Sequence, residues 1–300
     1  MKSDEILQEI VVSGHATGPD ISKWNVNYDL DEAPADVEAA LEATDFIYAR
    51  GMVTYQSGGI DIDPKLEQNY QEMEQHPDKV RIIYGFLNKS RKWTDQYEKF
   101  TEAIDGKDFE IHEADAEHHG LYNNIMNSPA DANRFAGITY NFLRQLEKDF
   151  PHKIPMLYTN YPTYVIMRQY YPDLDRFPLH YARFPYDYWY NLSANWEPSF
   201  RAWIKDVFSG VKQPILPPTR LPSQWEIWQL GDKTGLGYEL GVSGSDNIDI
   251  NISRRLLEDF REWAGLYKRW QPEGPTEPPV ELTLEEKVAL LWQAHPELHP

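Results

Sequence analysis

The sequence predicts an α/β fold, a single TIM-like barrel, on three observations. Short β-branched or aromatic runs alternate with longer segments of helical period, the pattern of successive βα units. The chain has 300 residues, 41% of them apolar; one such barrel uses about 250 residues. After Trp270 the composition turns abruptly to proline, which marks where the barrel ends.

Strands are expected at 17–21, 45–50, 80–87, 109–114, 154–159, 178–184, 225–230 and 247–250. Helices are expected at 33–43, 64–75, 92–104, 129–148 and 162–170, and a last one at 253–268. Pro64, Pro129 and Pro162 open three of these at the first turn, where the missing N–H costs nothing. With helices mainly in the first five intervals, the last strands are joined by loops. The stretch 187–222, rich in Trp, Tyr and Pro, reads as long loops with a short helical piece, and loops of that length usually carry function or cover a cleft.

Four segments follow: an N-terminal extension at 1–16, the barrel at 17–268, a linker at 269–281 and a helical segment at 282–300. Pro272, Pro275, Pro278 and Pro279 make the linker stiff and extended. Thr283 and Glu286 form a capping box for a helix over 284–294, whose apolar stripe is Leu284, Val288, Leu291 and Trp292. A helix this short is marginal alone, so it is expected to dock on the barrel or to self-associate with another copy.

The net charge of −19 argues against nucleic acid, because phosphate contacts need clustered Lys and Arg. The absence of cysteine excludes disulfides, thiolate metal sites and a cysteine nucleophile. No apolar run approaches the roughly 20 residues of a membrane span. Asp4, Glu5 and Glu9 interrupt the head, so no signal peptide is expected and the chain reads as cytoplasmic when made. Aromatic residues are 14% of the chain, suited to stacking on sugar rings as well as to filling a core.

The most informative segment is 109–117, Phe-Glu-Ile-His-Glu-Ala-Asp-Ala-Glu. Strand alternation sends Asp115 and Glu117 to the same side, with Cα atoms ~6.6 Å apart. Carboxyls that close influence each other: one stays ionised and keeps its partner a usable acid near neutrality. Glycoside cleavage needs that division of labour. A solvated acidic loop is the plainer reading of the segment alone, in a chain with 48 acidic residues. Two further acids add weight. Asp20 ends the first strand, and Asp249 alternates with Ile248 and Ile250 in the last. First and last strands are neighbours in a closed barrel, and C-terminal strand ends line its catalytic face.

With these residues in view, 17–263 resembles the glycoside hydrolase family 25 lysozymes, the Chalaropsis-type muramidases. Gly18-Pro-Asp-Ile-Ser-Lys-Trp24 resembles the opening G-x-D-V-S-x-W/Q motif, and 63–69 the D-P-x-F-x-x-N helix start. Glu113-Ala-Asp-Ala-Glu117 is similar to the L-D-x-E segment, and Pro155-Met-Leu-Tyr-Thr159 to P-x-I-Y-T. Leu179-His-Tyr-Ala-Arg183 resembles L-W-I-A-x, Trp225-Glu-Ile-Trp-Gln229 resembles W-x-x-W-Q-Y, and 244–251 the closing G-x-V-D-L-N. Each match is weak by itself, but all seven occur in family order.

The resemblance implies a (β/α)5(β)3 barrel that hydrolyses the β-1,4 bond between N-acetylmuramic acid and N-acetylglucosamine in peptidoglycan, with no cofactor and no metal. It implies Glu117 as proton donor, Asp115 as the group that orients or stabilises the reacting N-acetyl, and Asp20 and Asp249 as flanking carboxylates. Tyr158 and Trp228, with Phe86 as a third, would line the sugar cleft. A substrate-assisted course, in which the sugar's own N-acetyl oxygen attacks, is preferred because Asp115 and Glu117 share one strand face. The runner-up is a non-catalytic wall-binding or phage-structural protein on the same scaffold. A phage or prophage lysin, or a virion-associated enzyme, is the setting the head and tail point to.

Three departures from the family pattern bear on substrate preference. The second strand reads Tyr48-Ala49-Arg50-Gly51-Met52, without the family's acid; His180 stands where Trp is common; and Glu113 replaces an apolar residue. Other chemistries fit worse. His118-His119 lacks metal-ligand spacing, 241–245 falls one residue short of a nucleophile elbow, and 235–241 misses dinucleotide-loop spacing.

Overall fold

A computed structural model of the chain describes residues 14–21, 26–27, 33–34, 40–42, 44–117, 128–182, 225–231 and 249–266. All lie within one compact unit, Met1–Tyr267. The expected linker, the C-terminal helix, the loops over 187–222 and His118-His119 fall outside the described residues.

Eight strands close a barrel: β1 (His15–Ile21), β4 (Phe46–Thr54), β6 (Val80–Phe86), β7 (Ile111–Asp115), β8 (Ile154–Asn160), β9 (Leu179–Ala182), β10 (Trp225–Gly231) and β11 (Ile250–Leu256). β1 pairs parallel with β4, and parallel pairing continues through β6, β7, β8 and β9 to β10. β11 runs antiparallel to both β10 and β1 and completes the ring. A hairpin strand, β5 (Ile60–Ile62), adds to β4, and a small ladder joins β2 (Val26–Asn27) to β3 (Ala33–Pro34).

Helices α1 (Leu66–Glu74), α2 (Trp93–Ile104), α3 (Pro129–Asp149) and α4 (Tyr161–Tyr170) follow β5, β6, β7 and β8, as the sequence predicts within one or two residues. Ser128 and Asn160 cap α3 and α4 by accepting from the backbone N–H of Asp131 and Thr163, each at 3.1 Å. These caps satisfy donors that the first helical turn leaves without a partner.

Two expectations are corrected. Residues 33–34 pair with 26–27 in a ladder, so a helix over 33–43 is not formed; helix is present at 40–42. Among the described residues the last strand is Ile250–Leu256, which runs on past the expected end at 250, and the helix after it, α5, is Leu257–Ala264. Both neighbours of the barrel's seam bond to 250–256, and those ladder partners override the local helical period. Strand β1 also begins at His15, inside the expected extension.

Alternation divides the core in two. Ile21, Ile47, Ile83, Ala114, Leu157, Tyr181 and Trp228 face outward into the layer shared with the helices. Ala16, Phe46, Tyr48, Val80, Ile82, Ile111, Met156 and Ile227 face inward and fill the lower barrel. Because β11 ends at the bottom, α5 starts there; Phe260 meets the Phe46 ring at 5.0 Å and closes that end. Gly18 has no room for a side chain, since a Cβ there would sit 2.2 Å from the Phe46 carbonyl oxygen.

Candidate active site

The upper interior is polar. Phe86, Asp115, Tyr158 and His180 are successive cross-strand partners on β6, β7, β8 and β9, so they share the inward face in one row. Glu113 lies two residues below Asp115 on β7 and takes the same face. On β4 a register shift falls between Arg50 and Met52. The bulged residue, Gly51, sits where a Cβ would crowd Ile83 at 2.8 Å. That bulge leaves Arg50 inward and sends Met52 to the outer layer, the re-aiming that bulges provide.

Asp249 reaches the same rim for a reason opposite to the one the sequence suggests. The other barrel strands deliver residues at their C-terminal ends, whereas β11 is antiparallel and delivers the residue just before its start. The Asp20 backbone N–H donates to the Asp249 carbonyl at 3.2 Å and ties the two acids together.

One phenol reports the convergence. Burial, and then the charges of Glu117, Asp115, Asp249 and Asp20 in that order, push the Tyr158 hydroxyl well above its ordinary pKa. All four acids expected from the sequence therefore act on a single group. Its hydroxyl donates to Gln229 Oε1 at 2.7 Å, and Gln229 Nε2 donates to Asp20 Oδ2 at 3.1 Å, linking β8, β10 and β1.

The acids differ in state. Asp115 is buried, and that burial, followed by the negative charges of Glu117, Glu113 and Asp20, raises its pKa well above the carboxylate range; Arg50 opposes this. Among the described residues its Oδ1 accepts no hydrogen bond, an unusual condition for a buried oxygen. Glu117 lies just past β7 and is half-buried. Asp20 is raised to about 6, first by burial and against the pull of His180, a Tyr84 hydrogen bond and Arg50.

Phe86, in register with Asp115, stands where the sequence expects a cleft residue. Trp228 does not: Gln229 takes the inward position, and Trp228 is completely buried in the outer apolar layer with Tyr181. The W-x-x-W-Q match carries no parity, so it does not distinguish Trp228 from the amide beside it. Sequence reasoning also gave no role to Tyr84, Gln229 and Asn251, and treated Arg50, Glu113 and His180 only as departures. Counting by twos finds Glu113 from Asp115 and Asn251 from Asp249, whereas Tyr84, Arg50, His180 and Gln229 lie on strands that carry none of the four acids.

Arg50 is ion-paired: its Nε donates to Asp63 Oδ2 at 2.8 Å, while Asp63 Oδ1 accepts from the Lys65 N–H at the entry to α1. Among the described residues no group of three His, Cys, Asp or Glu is placed to hold a metal ion, and no helix is long and apolar enough to cross a membrane.

A closed mixed barrel with an acidic cluster at its upper rim defines the class as an α/β-barrel protein of the carboxylate-bearing kind. No protein-family model matches the chain, and no curated protein matches it in sequence. Solved structures do. The spore cortex lytic enzyme SleM of Clostridium perfringens superposes with a TM-score of 0.55 at 17% identity, over 80% of this chain and 67% of its own. A family 25 glycosyl hydrolase from Bacillus anthracis gives 0.53 at 14% identity, over 82% and 92%. GHIP, a glycosyl hydrolase 25 of Streptococcus pneumoniae, gives 0.51 at 14% identity, over 87% and 97%. The fold is that of the family 25 glycosyl hydrolases.

Proposed function

We propose that this protein is a peptidoglycan hydrolase, an N-acetylmuramidase that cleaves the β-1,4 bond between N-acetylmuramic acid and N-acetylglucosamine. The observation that carries the reading is one rim of the barrel where Asp115 is in register with Tyr158, Gln229 links Tyr158 to Asp20, the Asp249 carbonyl bonds to the Asp20 backbone, and Glu117 lies just past β7. Wall-lytic neighbours of the same fold, such as SleM, support the substrate class.

The chemistry follows from the proton count. Near neutrality the Asp115/Glu117 pair holds one proton, since two carboxylates this close resist double ionisation. Glu117, nearer the rim, hands that proton to the leaving glycosidic oxygen. Asp115 is left anionic and faces the positive charge that develops at the anomeric carbon. Its Oδ1, without a hydrogen bond at rest, is the acceptor for the substrate's acetamido N–H. That contact orients the N-acetyl oxygen for attack and favours substrate assistance. Asp20 and Asp249 flank the sugar, and Phe86 and Tyr158 supply an aromatic wall.

Digestion of purified peptidoglycan tests the reading. Release of new reducing ends, with products whose mass places muramic acid at the reducing terminus, is the expected result. Release of glucosamine-terminated products would move the cut to the other bond. Binding without any release would favour the non-catalytic alternative.

A further inference from the structure

One buried amide joins two parts of the upper rim that the proposed reaction treats separately. Gln229 of β10 is 3% exposed and Tyr158 of β8 is 7% exposed. Oε1 of the amide accepts from the Tyr158 hydroxyl at 2.7 Å, and Nε2 donates to Asp20 Oδ2 at 3.1 Å. β9 lies between β8 and β10, and its residue in register with Gln229 is Ala182. A side chain this small leaves the amide room to meet the phenol across β9.

The direction of this chain of hydrogen bonds is forced. Asp20, raised only to about 6, is ionised at neutral pH, and a carboxylate only accepts. Gln229 must therefore turn its nitrogen to Asp20 and its oxygen to Tyr158. The amide oxygen has no hydrogen to give, so the phenol is the donor. A phenol carries one hydrogen, and Tyr158 has committed it to Gln229.

Asp115 is the register partner of Tyr158 on β7, and both side chains face inward from strands ~4.8 Å apart. Among the described residues Asp115 Oδ1 nevertheless accepts no hydrogen bond. The polar groups nearby are engaged with one another. Asn251 Nδ2 donates to the Gly18 carbonyl at 3.1 Å, and its Oδ1 is 2.8 Å from His180 Nε2. His180 Nδ1 is 2.9 Å from Glu113 Oε2.

We propose that Gln229 is the positioning residue that keeps the Tyr158 hydrogen off the Asp115/Glu117 pair. By taking that hydrogen, Gln229 leaves Asp115 Oδ1 to a donor on the ligand, which on a glycan is a hydroxyl or an acetamido N–H. Gln229 needs no contact with the sugar. It acts through Tyr158, and its second bond favours the ionised form of Asp20. Only the consequence for turnover rests on the muramidase reading.

The test is Gln229→Met, which keeps the size of the side chain and removes both bonds. Its two effects have opposite signs, and 13C-labelled carboxyl groups report both. Asp20 loses a donor to its charged form, so its midpoint should rise by about half a pH unit or more. The freed phenol turns to the acids beside it, and a donor to a carboxylate lowers its pKa, so the midpoint of the Asp115/Glu117 pair should fall. Adding Tyr158→Phe should keep the Asp20 rise and largely abolish the fall in the pair. A fall of equal size without the phenol, or no fall with it, overturns the proposal. In the otherwise wild-type protein, Tyr158→Phe should leave the midpoint of the pair where it is. A rise there would show that the phenol already donates to the acids, and it overturns the proposal without any change at Gln229. These titrations need no turnover, so a wild-type protein inactive on peptidoglycan would remove the muramidase reading while they still decide the role of Gln229.

Discussion

The two ends of the barrel each bury a carboxyl group whose pKa burial raises, and they treat it differently. At the lower end, Glu110 is raised to about 7, and Arg81 lies beside it: the Arg81 backbone N–H donates to Oε2 at 2.7 Å and the guanidinium stands 3.7 Å from Oε1. Lys153 and Asp108 complete a locally balanced group. At the upper end, Asp20, Asp115, Glu117 and Asp249 share Arg50, itself already paired to Asp63. A raised pKa by itself therefore does not mark a catalytic group. What separates the ends is balance among the described residues, for the lower acid is matched with cations while the upper acids hold negative charge in excess and a carboxyl oxygen without a hydrogen bond. Such a rim sacrifices stability for an environment that a substrate can complete.

The sharpest way to break this contrast is Glu117→Gln. The shape is kept and the transferable proton is lost, so turnover should fall on the order of 10²–10⁴-fold while glycan binding persists. Near-wild-type rates, with the fold checked by circular dichroism, would remove the upper rim from catalysis. The matching change below is Ile82→Ala, in the apolar layer. It should lower stability by about 2–5 kcal/mol in denaturant unfolding and leave kcat of the folded protein within a few-fold. A kcat loss comparable to that of Glu117→Gln would mean that the two ends are not separable.

Stability should also depend on pH in a way that distinguishes the ends. Asp20 is raised from 3.8 to about 6, so between those values the folded state binds more protons than the unfolded chain. Stability must then fall as pH rises through that window, by at most about 3 kcal/mol from this group. Asp20→Asn should remove this part of the slope, and the variant should exceed the wild type in stability above pH 6 while losing activity. The remaining slope should persist, with Glu110 contributing up to about 7 and the raised carboxyls of Asp115 and Glu113 adding to it. A variant with an unaltered slope would contradict the buried, charge-crowded placement of Asp20.

The smallest expected effect concerns Trp228. If it belongs to the outer layer, Trp228→Phe should cost about 1–2 kcal/mol of stability and change KM by less than twofold. A large rise in KM with unchanged stability would restore it to the sugar cleft.

Much of this was legible before any fold was known. The positions of α1, α3 and α4 follow from a helical period opened by a proline and that of α2 from the period alone, the barrel from eight short apolar runs, and the shared face of Asp115 and Glu117 from a spacing of two. The last strand was misplaced because 253–268 carries a helical period that ladder bonds to β1 and β10 override at its start.

The sequence by itself determined which residues share a face, since alternation is a local property of an extended chain. It could not determine which face turns inward, because that depends on every strand closing into one ring. Closure is why Gln229 and not Trp228 meets Tyr158, and why a bulge at Gly51 can aim Arg50 at the rim. Strand direction decided Asp249, which reaches the upper end only because β11 runs against its neighbours. The Glu113–His180–Asn251 chain joins residues 67 and 71 positions apart, so only the packed barrel could bring a proton-sharing pair beneath the acids.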